Sequence, residues 1–457
     1  MFKALLQLFS RGNQNTSKSR AKLVSGKDFA PTEGEALKPK VLIAKFDRDQ
    51  SGATETLSNH LQQLDIWDIF ALPNALKLEG KGNLAMQISA AAVGGSDLLG
   101  QEKADILLWG EVDGDEIRIR FQSAVQASDN MLGSYGLGDT LNLPTDFDQA
   151  LEAVVYAAVL GCVTPLFRGS RKRLAESLNQ YLEVTKPLIE TPPAGLSQPQ
   201  QASMLMMLGN AFAAMSRLGG GAPQVEDAIT AYGKAKEMIS ADDFPVIWAV
   251  SQSHYASALR AKGERMKMEG GEVLTQASGA FEEIHVTLAR AEHPFDWALA
   301  HMNQGYIKYR LGMVEGEAKY LQEAAKSFEQ ALGVYKQETM PGRWAEVMNQ
   351  YGVVLLALGE QVSVDTVLEA AIKRFRQALT VRKKERSAEL WAQSTNNLGA
   401  ACFALAKRNS ELPLLREAAG CFDGAIEVYR AQGAAKKAET ISKNLVRAKR
   451  LLARHGE

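Results

Sequence analysis

Cysteine is scarce in this sequence. Only Cys162, Cys402 and Cys421 occur among 457 residues. Their spacing matches no metal-binding or redox motif, and an odd, sparse set is unlike a disulfide scaffold. This usage is typical of proteins from a reducing compartment and predicts a cytoplasmic protein.

Long apolar runs and catalytic motifs are also missing. No run approaches the ~20 residues that a membrane-spanning helix needs. The sequence contains no GxxxxGK[ST], GxSxG, HExxH or CxxC motif, so no phosphate loop, nucleophile elbow or zinc-protease signature is present. MFKALLQLFSRG, at the start, has no cleavage site after its short apolar core, and we expect no secretory signal there. We therefore predict a protein that is not an enzyme and has no cofactor and no metal.

Neither sign of charge is in excess over the whole chain. There are 52 basic and 53 acidic residues, for a formal net charge of -1. Such a balance creates no chain-wide field that attracts nucleic acid, and we expect no nucleic-acid partner.

The first residues depart from this balance. Residues 1–12 form an amphipathic segment, and residues 13–40 read as a flexible basic linker. Between residues 1 and 27 there are six basic residues and no acidic one. Basic charge with an apolar face suits the inner face of an anionic membrane or a partner's groove. A disordered tail explains the same residues equally well.

Residues 41–145 mix strand and helix patterns in the order β-α-β-α-β-β, which predicts a small α/β domain. The last two strands, DILLWGEV and EIRIRF, face each other across a hairpin at Asp113-Gly114. In EIRIRF the apolar residues alternate with Arg118 and Arg120, so we expect one buried and one solvated face. Residues 146–195 predict connecting helices, with a domain boundary at residues 191–200.

Two features of this domain have a chemical and a structural interpretation. Glu111, Asp113, Asp115 and Glu116 could hold a divalent cation, but we favour a solvated turn. The segment GSYGLGD (133–139) has the glycines of a phosphate loop but no following lysine, and we favour a flexible loop.

A repeat decides the architecture of the rest of the chain. Trp-Ala pairs begin at Trp248, Trp297, Trp344 and Trp391, separated by 49, 47 and 47 residues. A second aromatic series has the same period: Tyr232, Phe281, Phe328, Phe375 and Phe422. We expect both series to pack inside the repeat. The pattern predicts five helix pairs over residues 196–437, each with a helix A and a helix B, and a cap helix over 438–457.

The positions within each unit carry a family resemblance. Small residues stand eight positions after the tryptophan, and alanines flank the second aromatic. This pattern resembles the tetratricopeptide repeat, in a long form of about 47 residues similar to that of kinesin light chains. The resemblance implies a mainly α fold, a right-handed α-α superhelix of helix pairs, preceded here by the α/β domain. The α/β domain, through ADILLWGEV, resembles the N-terminal domains of the TolB and FlgO type.

Polar residues recur six positions after the tryptophan, at one place on helix A. They are His254, Asn303, Gln350 and Asn397, with Asn349 and Asn396 beside two of them. The family resemblance implies that helix A lines a concave groove and that such amides bond the backbone of a bound peptide. The alternative is that they bridge neighbouring helices.

Two functions follow from these patterns. The first is a protein–protein interaction scaffold or adaptor that holds a partner segment in the groove of the repeat array. The alternative is a regulated enzyme, or a nucleotide- or ligand-sensing protein, with its site in residues 41–145. The sequence leaves the partner and any homo-oligomer open.

Overall fold

The computed structural model describes residues 38–79, 84–124, 131–136, 138–164, 168–291 and 293–454. The predicted amphipathic segment and nearly all of the linker lie outside these residues. The described chain forms two compact units. The first unit covers residues 38–265 and 279–293, and the second covers 266–278 and 294–454.

A five-stranded sheet opens the first unit, with strand order β2-β1-β3-β4-β5. Strand β1 is parallel to β2 and β3, whereas the β3–β4 and β4–β5 pairs are antiparallel. The elements are β1 Lys40–Ala44, α1 Ala53–Gln62, β2 Asp68–Leu72, α2 Leu84–Glu102, β3 Ile106–Asp113, β4 Glu116–Ser123 and β5 Thr140–Pro144. The small α/β domain is therefore confirmed, with β5 added as a strand that the sequence did not predict.

One face of the sheet shares its hydrophobic core with the helices that follow. These are α3 Gln149–Cys162, α4 Arg168–Thr185, α5 Pro187–Glu190, α6 Gln198–Met215 and α7 Ala222–Glu237. Every residue of α6 from Ala202 to Ala214 is buried. A helix that is apolar all round packs on several sides at once, and α6 contacts α3, α4, α7 and β5. The predicted boundary at residues 191–200 thus lies within a continuous core.

The opposite face of β4 is not solvated as its alternating arginines suggested. Arg120 is only 5% exposed, and it pairs with Glu111, which is 4% exposed. Arg118 contacts Glu116 at 2.8 Å and Asp113 at 3.3 Å. The prediction of a wet face is wrong at Arg120, because its charge is neutralised inside the fold. Three of the four acidic residues proposed as cation ligands are thereby bound to arginine.

Helix pairs continue to the end of the described chain. In the first unit α8 Pro245–Met266 begins the second pair, and α9 Gly271–Thr287 follows it. The second unit contains α10 Pro294–Glu315, α11 Ala318–Leu332, α12 Pro341–Val362, α13 Asp365–Val381, α14 Ala388–Asn409, α15 Leu412–Ala431 and α16 Ala435–Arg454. Within that unit each helix from α10 to α16 packs against the next. The mainly α class, with consecutive helix pairs after an α/β domain, is confirmed.

The A helices are equal in length. Helices α8, α10, α12 and α14 each have 22 residues. Three begin with proline, at Pro245, Pro294 and Pro341, and the fourth has Ala388 at the same position. Proline suits the first position of a helix, where its missing N–H forms no helical bond anyway.

Each aromatic of a B helix packs against the small residue of its A helix. Phe328 and Phe375 are fully buried. A Cβ atom built on Gly305 would lie 2.9 Å from the Phe328 ring, and one on Gly352 would lie 2.7 Å from the Phe375 ring. Glycine is therefore required at these positions by the close approach of the ring.

Replacing Gly352 with alanine tests this contact. We expect the change to lower the free energy of unfolding by about 1–3 kcal/mol, because the added methyl group overpacks the Phe375 ring. Gly342→Ala, in the first turn of the same helix, is the matched control, since nothing lies within 4 Å of its Cβ position. Urea unfolding of both variants checks this; equal midpoints would contradict it.

The last helix, α16, is in register with the A helices. It begins at Ala435, 47 residues after Ala388, and its Asn444 stands 47 residues after Asn397. The sequence analysis interpreted residues 438–457 as a cap helix; α16 instead begins as a sixth A helix. No B helix follows it within the described residues. Of the helices that the structure describes, none has the length and apolarity to cross a membrane.

Candidate partner-binding site

His254 lies apart from the other predicted groove residues, in the first unit. Its Nε2 is 2.6 Å from Oδ1 of Asp139, and its ring stacks on Tyr232 with centroids 5.1 Å apart. Asp139 is 2% exposed and belongs to the segment GSYGLGD. The described part of that segment is thus held against α8 by a buried contact, contrary to the flexible loop that we favoured.

The amides of the second unit lie on successive A helices. Asn303 is on α10, Asn349 and Gln350 are on α12, and Asn396 and Asn397 are on α14. All five are buried, with between 0% and 7% of their surface exposed. We call these five residues the amide row.

The amide row connects α12 to α14. Oδ1 of Asn349 accepts hydrogen bonds from Oγ of Ser394 at 2.9 Å and from Nδ2 of Asn397 at 3.3 Å. Nδ2 of Asn396 is 3.5 Å from Oδ1 of Asn397. The interhelical bridges that we weighed against a groove are therefore present in the structure.

A buried ion pair extends this network to α10. The Glu346 carboxylate accepts hydrogen bonds from the Tyr306 hydroxyl and from Nε2 of Gln350, both at 2.9 Å, and it pairs with Arg382. Arg382 is 3% exposed and also donates to Oγ of Ser394 at 2.9 Å. Burial acts to raise the pKa of Glu346, but the charge of Arg382 and these hydrogen bonds bring it below its ordinary value. Glu346 therefore stays ionised inside the fold.

The sequence gave no sign of this pair. The positions one period away from Glu346 are Leu299 and Gln393, and those one period from Arg382 are Tyr335 and Tyr429. Because neither charge recurs with the repeat, a search for recurring polar positions passes over both. The only available signal was a single acidic residue two positions after Trp344.

Several polar atoms of the amide row and its neighbour have no hydrogen-bond partner among the described residues. They are Oδ1 of Asn303, Nδ2 of Asn349, Oδ1 of Asn396 and Oγ1 of Thr395. An unpartnered buried polar atom costs about 1–3 kcal/mol, so most such atoms in proteins have a partner. The row thus has two properties: some of its atoms bind neighbouring helices, and others remain available to bond.

The tryptophans, in contrast, pack against their neighbours. Trp344 forms a small cluster with Ala345, Met348 and Ala378. A Cβ atom built on Gly424 would lie 3.1 Å from the Trp391 ring. Both contacts join helix A to helix B and agree with a packing role for the series. Among the described residues, no group of three or more histidine, cysteine or acidic side chains could hold a metal ion.

Comparisons with known proteins place the chain in no family. No family model matches it, and no curated protein matches it. One solved structure to which it is similar is described as "Computational Design of Self-Assembling Cyclic Protein Homooligomers". The identity is 13%, the match covers 67% of this chain and 94% of that chain, and the TM-score is 0.11. A TM-score this low carries no argument, and the function has to be inferred from the side chains.

Proposed function

We propose that this chain is a non-enzymatic interaction scaffold of the tetratricopeptide type. Its second unit binds an extended segment of a partner protein across the A helices α10, α12 and α14. The observation that carries the proposal is the amide row, in which Asn303, Asn349 and Asn396 each keep one side-chain atom unbonded.

The unbonded atoms match what a peptide backbone offers. Nδ2 of Asn349 is a donor and would take a backbone carbonyl, whereas Oδ1 of Asn303 and of Asn396 would take backbone N–H groups. An extended segment presents both kinds of group along its length. Because the row is buried, such a segment has to insert between the side chains that now cover it. The hydrogen bonds gained would offset part of that cost.

The network beside the row supports this proposal. Glu346 and Arg382 fix Gln350 and Ser394, and Ser394 in turn fixes the Oδ1 atom of Asn349. An amide whose oxygen is already bonded is oriented before a partner arrives, which lowers the entropy cost of binding.

The alternative function, an enzyme or ligand sensor with its site in residues 41–145, has weaker support. Its best candidate ligands were the acidic residues of the β3–β4 hairpin. Glu111, Asp113 and Glu116 all pair with Arg118 or Arg120. These carboxylates are therefore occupied, and no other group in that domain favours a second function.

A double change in the amide row tests the proposal. Peptides that bind the full chain are first selected from a random display library. Asn303→Ala with Asn396→Ala should then weaken the selected peptides by about tenfold, since each lost hydrogen bond is worth about 0.5–1.5 kcal/mol. The melting temperature should hold, because neither Oδ1 atom bonds within the fold.

Ser394→Ala is the matched control for this change. It removes the hydrogen bonds from Arg382 and to Asn349 that cross between helices. We expect Ser394→Ala to lower the melting temperature while peptide affinity changes little. If the double asparagine variant is destabilised and still binds every selected peptide normally, the amides only hold helices together and the proposal is wrong.

A further inference from the structure

Helix α16 exposes the face that helix B covers in the preceding units. In those units the residue eight positions after the tryptophan lies under the aromatic of helix B, as Gly352 lies under Phe375. The residue fifteen positions after the tryptophan lies under a leucine, as Gly359 lies under Leu368. The same two positions of α16 are Val446 and Ala453.

Both positions are open to solvent. Val446 is 46% exposed, and Ala453 is also exposed. The opposite side of α16 is buried in the unit through Ala438, Ile441, Asn444 and Ala448. The helix is therefore anchored as an A helix, and its outer face, around Val446 and Ala453, has no B helix on it within the described residues.

The outer face is strongly basic. Helix α16 has seven basic residues and one acidic residue, Glu439. Three of the basic residues have partners: Lys437 with Glu389 at 2.8 Å, Lys443 with Glu439 at 3.2 Å, and Lys449 with Asp423 at 3.6 Å. The other four have no ion pair among the described residues, and they are Lys436, Arg447, Arg450 and Arg454.

Solubility alone does not explain this charge. A terminal repeat needs a polar outer face, but charges of both signs would provide one. Cations are favourable in the last turn of a helix, which accounts for Arg454. Arg447 and Lys443 lie further back, where that effect has faded. Like charges four residues apart repel one another, so a face of one sign suits a counter-charged surface.

We propose that the outer face of α16 binds an acidic amphipathic helix of a partner protein, which takes the place of the missing helix B. Its apolar side would cover Val446 and Ala453, and its carboxylates would meet Arg447 and Arg450. This surface does not include the unbonded atoms of the amide row, so it is a second binding site beyond the proposed function.

Charge also decides between possible occupants. A second copy of α16 would bring seven more basic residues against this face, and repulsion disfavours it. Residues 1–27 of this chain contain six basic residues and no acidic one, so they are disfavoured for the same reason. An acidic helix satisfies both the apolar positions and the charge.

A model peptide tests the proposal with the full chain. The probe is a fluorescent helical peptide as long as α15, with leucine and alanine on one face and glutamate elsewhere. We expect saturable binding by fluorescence anisotropy that weakens as salt is added. Arg447→Glu with Arg450→Glu should weaken it by at least about tenfold, because attractive pairs become repulsive. A lysine version of the peptide should not bind.

Lys383→Glu with Arg386→Glu is the matched control, since both side chains are exposed and in the same unit. Its affinity for the probe should stay near that of the unchanged chain. Equal losses in the two variants would mean that any surface cation suffices, and would overturn the proposal. So would an absence of saturable binding. Tighter, Arg447-dependent binding of single-stranded DNA or of phosphatidylserine vesicles would assign the face to nucleic acid or membrane instead.

Discussion

Replacing Phe328 with alanine is expected to lower the free energy of unfolding by about 3–5 kcal/mol, the range for a buried aromatic. The ring is fully buried between Ala324 and Ala331 of its own helix. Gly305 lies against one side of it, and the Tyr306 ring approaches its edge, with centroids 5.4 Å apart. Alanine would leave a cavity that glycine and alanine neighbours are too small to fill.

Urea unfolding followed by circular dichroism measures this loss. The matched control is Leu390→Ala, because Leu390 is 44% exposed. Its removal should change the free energy of unfolding much less. Since helix pairs couple mainly to their neighbours, hydrogen exchange in the Phe328 variant should speed up most in α10 to α12. An unchanged unfolding midpoint would show that the aromatic is not a packing residue.

The second large effect is expected at Arg382. Arg382→Met leaves the buried Glu346 without its counter-ion, which typically costs about 3–5 kcal/mol. The double change Arg382→Met with Glu346→Gln should recover most of this loss, because a neutral amide tolerates burial and can still bond Tyr306. If the double variant unfolds as easily as the single one, the pair does not carry the effect.

The same pair predicts a dependence on pH. The pKa of Glu346 is lower in the folded chain than its ordinary value of 4.5. A depressed carboxylate pKa adds stability above the ordinary value, and this contribution is lost as pH falls through the folded value. Urea unfolding at several pH values should therefore show the unchanged chain and Glu346→Gln converging below pH 4.5. A difference that stays constant with pH would contradict this assignment.

The periodicity predicted the helix pairs because their packing is local and recurring. Gly352 and Phe375, for example, are 23 residues apart in every copy of the unit, so one spacing indicates both the helix pair and its contact. Strand β5 was missed because only Leu141 and Leu143 are strongly apolar in it, and its pairing with β4 is set by tertiary structure. The register of α16 was hidden because Ala438 and Val446 replace the marker residues tryptophan and glycine.

The candidate site was predictable only in part. The recurrence of Asn303, Gln350 and Asn397 correctly marked one face of the A helices. It did not show that Asn349 bonds Ser394, since a bridge between helices depends on side-chain rotamers. Nor did it indicate Glu346 and Arg382, which occur in one unit alone.

Hydrogen–deuterium exchange of the full chain, with and without a library-selected peptide, tests the central claim most directly. The account predicts that the peptide slows exchange in the A helices α10, α12 and α14, and that Asn303→Ala with Asn396→Ala removes this protection. Slower exchange confined to the sheet, β1 to β5, would contradict the account and place the binding site in the α/β domain.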